Sequence, residues 1–85
     1  MKAHEFDRVV NKFGMKTRHG RDLWAWFEHE GRVITRTRRS KGSGDLPFRL
    51  IRKQLALNDH QLHDAITCTL ERDGYVEILR AKGLL

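Results

Sequence analysis

The residues with the clearest chemical potential are the arginines in the segment GRVITRTRRSKGSGDLP, residues 31–47. The β-branched residues at its start predict a strand. Side chains alternate along a strand, so Ile34, Arg36 and Arg38 are predicted to share one side, with Val33 on the other. Guanidinium groups are rigid forks of N–H donors that suit phosphate oxygens, which favours a polyanion as the ligand. The alternative is an edge strand whose charges only keep it soluble.

Positive charge is concentrated in the middle of the chain. The 85 residues carry 17 Lys and Arg against 11 Asp and Glu, a formal net charge of +6. Eleven of the 17 basic residues, but only four of the 11 acidic ones, lie between residues 16 and 53. The candidate RNA-binding residues are Arg18, Arg21, Arg36, Arg38, Arg39, Lys41, Arg49, Arg52 and Lys53. This concentration favours a nucleic-acid surface that recognises mainly shape and charge.

Two tryptophans alternate with smaller apolar residues in the segment DLWAWFEH, residues 22–29. The alternation predicts a strand with Trp24 and Trp26 on one side and the intervening apolar residues facing the helices. On a bare sheet face the two indoles can stack bases or anchor a protein partner. The third alternative is burial beneath helices from the C-terminal part of the chain. All three interpretations stay open at this point.

The remaining reactive residue types predict no metal or cofactor site. His60 and His63 have a spacing that can hold a metal ion, but without other ligands nearby a polar helix surface is favoured. Cys68 is the only cysteine, so no internal disulfide forms, and its apolar surroundings favour a buried thiol over a nucleophile. Phosphate-loop and dinucleotide-binding motifs are missing, so no cofactor is expected. With neither a signal-type N-terminus nor a long apolar run, we expect a cytoplasmic protein that does not bind membranes.

Hydrophobic spacing predicts the elements that position these residues. Helical spacing predicts four helices, at residues 3–13, 47–57, 59–67 and 71–82. Alternation predicts three strands, at residues 15–19, 22–29 and 32–39. Glu30-Gly31 is a plausible hairpin turn, and Asn58 with Gln61 has the spacing of a capping box. The predicted fold class is α+β: an αβββα two-layer sandwich over residues 1–57, with a C-terminal helical extension, residues 58–85, packed on the same domain.

Several short motifs follow this order of elements: Phe13-Gly14, Gly20, Phe27-Glu28-His29, the basic strand at 32–39 and the run DLPFRLIRKQLAL at 45–57. In these motifs and their order, the chain resembles the HicA-type toxins of bacterial toxin–antitoxin pairs. The resemblance covers about two-thirds of the chain. Those toxins have a fold like double-stranded RNA-binding domains and cleave messenger RNA with one histidine. The resemblance therefore implies that fold, RNA as the ligand and an antitoxin as a protein partner.

The catalytic position departs from this family. Its histidine belongs to a Gly-Ser/Thr-His motif at the start of the second strand, where this chain reads His19-Gly20-Arg21-Asp22, with Asp22 in the place of the histidine. An aspartate with a pKa of about 4 acts as a base but rarely as a proton donor at neutral pH. His19, across the turn, can act as acid or base. His19 and Asp22 are thus the candidate catalytic residues of a metal-independent endoribonuclease; the alternative is a surface pair in a β-turn.

Two functions from different classes follow from these observations. The first is an RNA-binding protein of the HicA type, a divergent or inactive messenger RNA endoribonuclease. The second is a protein–protein interaction module with no nucleic-acid role, which binds a partner or a second copy of itself through Trp24 and Trp26 or through its C-terminal helices. If the C-terminal helices cover Trp24 and Trp26, the two indoles belong to the core. If they do not, the indoles are free to stack bases or to anchor a protein partner.

Overall fold

The computed structural model describes residues 1–42, 44–67 and 69–85. Ser43, in the predicted loop before the second helix, and Cys68, predicted as a buried thiol, lie outside the described residues. The elements in chain order are α1 (Ala3–Lys12), β1 (Lys16–His19), β2 (Asp22–His29), β3 (Arg32–Ser40), α2 (Phe48–Gln54), α3 (Asp59–Thr67) and α4 (Arg72–Ala81). The predicted α+β class is confirmed, with an αβββα order followed by a helical extension.

The three strands form one antiparallel sheet in the order β1-β2-β3. The predicted hairpin between β2 and β3 is confirmed at Glu30 and Gly31, whose φ angles of 53° and 78° are both positive. Two consecutive residues of this kind characterise the tight hairpin turn whose twist matches that of the strands it joins. Glycine adopts such an angle without steric cost, which explains the residue at the second position.

Strand β3 breaks strict alternation at one position. Glu28 of β2 lies opposite Val33, and a register shift next to this pair leaves Ile34 as an extra residue in β3. The bulge turns Ile34 towards the core, while Val33 joins the side of the sheet that carries Arg36. The prediction that Ile34 shares a side with Arg36 and Arg38 is therefore wrong, because a bulge inverts the alternation of the residues before it.

All four helices contribute to one hydrophobic core, on the side of the sheet to which Leu23, Ala25 and Phe27 of β2 point. The helix residues in this core include Phe6, Val9, Val10, Ile51, Leu62, Ala65, Ile66, Tyr75 and Leu79. The extension at residues 58–85 thus shares its core with the αβββα part. Burying apolar area at about 25 cal/mol per Å² is the main stabilising contribution in a chain of this size.

Local hydrogen bonds explain where α2 ends and where α3 begins. α2 ends at Gln54, earlier than predicted, because Ala56 takes a left-handed φ of 60° and turns the chain. The N–H of Leu57 donates to the carbonyl of Arg52 at 3.0 Å, which closes this C-terminal motif. The predicted capping box of α3 is confirmed: the N–H of Asn58 donates to the Gln61 side chain at 3.0 Å, and the N–H of Gln61 to the Asn58 side chain at 2.7 Å.

Tyr75 of α4 joins the extension to the sheet and to α2. Its ring stacks on Phe13 with centroids 4.1 Å apart and meets the edge of Phe27 at 4.9 Å. Its hydroxyl donates to the carbonyl of Leu55 at 2.8 Å and lies 2.6 Å from the hydroxyl of Thr35. Burial raises the pKa of the Tyr75 phenol well above its ordinary value, so the hydroxyl stays protonated.

We predict that Tyr75→Phe lowers the free energy of unfolding by about 1–3 kcal/mol, because it keeps the ring but leaves buried polar groups without their partner. Urea denaturation measures the loss. Thr35→Val should cost a similar amount, and the double variant should cost less than the sum, since the two hydroxyls contact each other. Strict additivity would contradict a direct interaction between these two hydroxyls.

Candidate nucleic-acid interface

The side of the sheet that faces away from the helices carries both tryptophans. Trp24 is 40% exposed and Trp26 is half-buried. α4 packs through Tyr75 against Phe27, on the core side of the sheet. The C-terminal helices therefore do not cover the two indoles. Of the three interpretations of these tryptophans, burial beneath the extension is excluded, whereas base stacking and a protein anchor remain.

The register of the sheet places a basic residue on each side of each tryptophan. The first row across the three strands is Arg18, Trp24 and Arg38, and the second is Lys16, Trp26 and Arg36. These six residues are called the open face below. Trp24 and Trp26 come from the central strand, and the four cations come from the two outer strands. Because neighbouring strands lie about 4.8 Å apart, the two columns of cations are separated by about 10 Å at the backbone.

A carboxylate at one end of the open face holds Arg38. Asp22, which precedes Trp24 by two residues and shares its side of β2, has its Oδ2 3.3 Å from Nη1 of Arg38. The guanidinium carbon of Arg38 lies 5.3 Å from the ring centroid of Trp24, a distance at which a cation is attracted to the π face. Arg38 is thus shared between a carboxylate and an indole.

A second carboxylate closes the opposite end. Oε2 of Glu28 lies 3.0 Å from Nζ of Lys16 and accepts a hydrogen bond from the indole nitrogen of Trp26 at 2.9 Å. These two donors, Lys16 first and then Trp26, lower the pKa of the Glu28 carboxyl below its ordinary value. Glu28 therefore fixes the orientation of Trp26, and it neutralises one of the four cations.

The other two cations lie diagonally across the open face. Arg18 and Arg36 are exposed, and within the described part of the chain neither guanidinium has an ion pair or a hydrogen bond. Together with Trp24, Trp26 and Val33 they border a hollow of about 500 Å³. Val33 is 51% exposed and adds to the apolar floor. The hollow thus has an apolar floor with a cationic rim.

Arg39 does not belong to the open face. It points to the opposite side of the sheet, where its guanidinium makes two hydrogen bonds to Asp7 of α1, at 2.9 and 3.0 Å. It also lies 5.8 Å from the ring centroid of Phe6. Arg39 therefore links β3 to α1, while Arg21 and Lys41 are exposed next to the sheet, in the β1–β2 turn and after β3.

The basic residues of α2 form a separate surface. Arg49 and Lys53 are exposed, whereas Arg52 lies with its Nε 2.8 Å from Oδ1 of Asp59 and donates from Nη1 to the carbonyl of Leu57. α2 packs on the core side of the sheet, as the hydrogen bond from Thr37 to Gln54 shows. The core layer therefore separates these charges from the open face.

The two candidate catalytic residues lie on different sides of the sheet. His19 is the partner of Leu23 in the β1–β2 register, and it borders a hollow on the helix side with Asp7 and Arg39. Asp22 instead contacts Arg38 on the open face. The structure does not bring His19 and Asp22 together, because the turn between them leads each side chain to a different face.

The two histidines of α3 have other contacts. Nε2 of His60 lies 3.3 Å from Oδ2 of Asp64, and the ring of His63 packs near that of Phe48, with centroids 5.2 Å apart. In residues 1–42, 44–67 and 69–85, no three His, Cys, Asp or Glu side chains are grouped to hold a metal ion. None of the helices in these ranges is long and apolar enough to span a bilayer.

Sequence reasoning missed two residues of this site. The RNA-binding residues predicted from the sequence do not include Lys16, although alternation along β1 puts it on the side of Arg18. Alternation alone predicts that Val33 lies opposite the side of Arg36, and no sequence signal indicates the bulge that moves it to that side. The roles of Asp22 and Glu28 as partners of the cations also become visible only from the register.

No family model, curated protein or solved structure matches this chain. The resemblance to HicA-type toxins therefore remains an expectation from the sequence. The arrangement of cations and indoles on the open face is the structural feature from which a function can be inferred.

We predict that Glu28 titrates below the ordinary value of about 4.3, and that Lys16→Met raises its pKa towards that value. Because the pKa is lower in the folded state, the stabilisation is present above the unfolded pKa and is lost as the pH falls through the folded one. NMR titration of the Glu28 carboxyl carbon measures both values. Lys53→Met, a matched change on α2, should leave the pKa unaltered. An ordinary pKa for Glu28 with Lys16 intact would contradict the ion pair.

Proposed function

We propose that this protein binds RNA through its open face. The observation that carries the proposal is the pair of rows in which each tryptophan of β2 is flanked by a cation on β1 and a cation on β3. Cationic side chains contact the phosphates, and aromatic rings offer flat apolar surfaces for bases. A sheet face that only needed to be soluble would have no reason to expose an indole between arginines.

The electrostatics of the open face support the same ligand. Asp22 and Glu28 pair with Arg38 and Lys16, so the net positive charge comes from the unpaired Arg18 and Arg36. Arginine is suited to phosphate because its N–H groups can donate two hydrogen bonds in parallel. Phosphate contacts by Arg18 and Arg36 would hold a strand diagonally across the two indoles.

The resemblance to HicA-type toxins supports RNA as the ligand, because those toxins act on messenger RNA. With that resemblance the proposal extends to a toxin–antitoxin module in the cytoplasm, with an antitoxin as a protein partner. The proposal is limited to binding, because the two candidate catalytic residues can act as an acid–base pair only when both lie within hydrogen-bond reach of one phosphate. His19 and Asp22 lie on different sides of the sheet.

The interaction-module alternative is favoured by the exposure of Trp24 and Val33. Pairing with a second copy through this surface would bring two sets of four cations together, against only two carboxylates each. Like charges across an interface oppose association. A protein partner of this surface would therefore carry negative charge. Such a partner would compete with RNA for the same cations.

We predict that Arg18→Gln combined with Arg36→Gln weakens RNA binding and flattens its salt dependence. The slope of log K against log salt concentration should fall by about 0.7 per lost phosphate contact for a single strand and about 0.9 for a duplex. Filter binding or fluorescence anisotropy across a salt series measures the slope.

The matched control is Arg49→Gln combined with Lys53→Gln, which removes the same charge from α2. This control should change the slope much less if the open face is the binding surface. Equal effects of the two double variants would place binding elsewhere, and the absence of salt-dependent RNA binding by the unaltered protein would refute the proposal.

We predict that Asp22→Asn raises RNA affinity about two- to five-fold, because it releases Arg38 from an exposed ion pair and removes a negative charge from the open face. The dissociation constant at fixed salt measures the change. Asp59→Asn, which releases Arg52 on α2, is the control with the same change of charge and should have little effect. A loss of affinity in Asp22→Asn would show that Asp22 itself contacts the RNA.

A further inference from the structure

We infer that the open face takes an unpaired RNA strand, with one base stacked on the indole of Trp24. This inference rests on the proposed RNA binding and names the form of RNA that is bound. It depends on the unequal surroundings of the two tryptophans, on the shape of the hollow between the strands and on the position of Arg38.

The two tryptophans differ in how they are held. The indole nitrogen of Trp26 donates to Glu28, and its ring is half-buried. Trp24 is 40% exposed, and within the described residues its indole nitrogen has no hydrogen bond. A base needs an accessible π face to stack on, and the exposed ring of Trp24 offers one. The ring of Trp26 is held by Glu28 and half-buried, so it forms a side of the site. Trp24 is therefore the ring that receives the base.

The contact with Arg38 shows that the π face of Trp24 is accessible to another group. Its guanidinium carbon lies 5.3 Å from the ring centroid, where the attraction to the π face and the exposed ion pair with Asp22, at 3.3 Å, both hold it. Exposed ion pairs contribute little free energy, so a phosphate can replace the carboxylate as the partner of Arg38. As Arg38 turns to the phosphate, a base takes its place on the ring.

The hollow beside Trp24 distinguishes unpaired from paired RNA. Its volume of about 500 Å³ and its border of Trp24, Trp26, Val33 and arginines suit a flat apolar group with a charged backbone at the edge. In a duplex the faces of the bases are stacked on one another, so only phosphates, sugars and base edges are accessible. A duplex would contact the cationic rim but leave the apolar floor unused, whereas an unpaired strand satisfies both.

Competition between two forms of one RNA tests the inference. A fluorescently labelled 12-nucleotide single strand is displaced from the protein by the unlabelled strand, or by the same strand annealed to its complement. We expect the single strand to compete at least ten-fold more strongly than the duplex at equal strand concentration. Trp26→Phe leaves Trp24 as the only indole, and its fluorescence should be quenched by the single strand but not by the duplex.

Two substitutions at Trp24 test the role of its ring. Trp24→Leu should weaken single-strand binding about ten- to a hundred-fold, because base stacking on an aromatic ring is lost. Trp24→Phe should retain most of the affinity, since it keeps a π face, and neither variant should alter duplex binding. Trp24 lies outside the hydrophobic core, so both variants should remain folded, which circular dichroism verifies.

The outcomes separate the inference from the proposed function. The single-strand inference fails if the duplex binds more tightly than the single strand, or if Trp24→Leu weakens binding of both forms equally. Either result, with salt-dependent binding, would leave the proposed RNA binding intact. The inference also fails if Trp24→Phe binds no better than Trp24→Leu. If neither form of RNA binds, both proposals fail, and loss of self-association in Trp24→Leu would then favour a second copy of the chain as the partner.

Discussion

Tyr75 connects α4 to three other parts of the molecule by its ring and its hydroxyl. The ring packs between Phe13 and Phe27, and the hydroxyl bridges Thr35 of β3 and the carbonyl that follows α2. These groups all lie on the core side of the sheet, so the contact draws the C-terminal helices to the side where α1 and α2 already pack. A tyrosine is suited to this position because its apolar ring fills the core while its hydroxyl satisfies buried polar groups. The other side of the sheet stays uncovered as a consequence.

The open face is built from residues that add little to the stability of the isolated chain. Arg18 and Arg36 lack ion pairs in the described residues, Trp24 exposes a large apolar surface, and the ion pairs of Asp22 and Glu28 are at the surface. Places where a chain departs from what folding requires are where function is expected. The exposed residues of the open face follow a regular order, because cations and indoles alternate across the strands. Their order matches a ligand that has both negative charges and flat apolar groups.

The two candidate catalytic residues flank the β1–β2 turn but lie on different sides of the sheet. The sequence places His19 and Asp22 three positions apart, which is close enough for a pair of acid and base. The antiparallel register, however, assigns His19 to the side of Leu23, whereas Asp22 takes the side of Trp24. In a sheet the side on which a residue lies decides its neighbours more than its distance along the chain does. Asp22 therefore acts in this structure as the partner of Arg38, next to the ring on which we place a base.

The sequence by itself determined the order of the elements, the hairpin at Glu30-Gly31, the capping box of Asn58 and Gln61, and the opposite orientation of the tryptophans and Phe27. These features depend on short-range rules: side-chain alternation, helical spacing, and the φ angles and hydrogen bonds of a few neighbouring residues. Only the tertiary structure decided that Val33 replaces Ile34 beside the arginines, that Arg39 pairs with Asp7 of α1, and that α4 leaves Trp24 uncovered. Each of these depends on strand register or on packing between residues far apart in the chain, which local patterns do not encode.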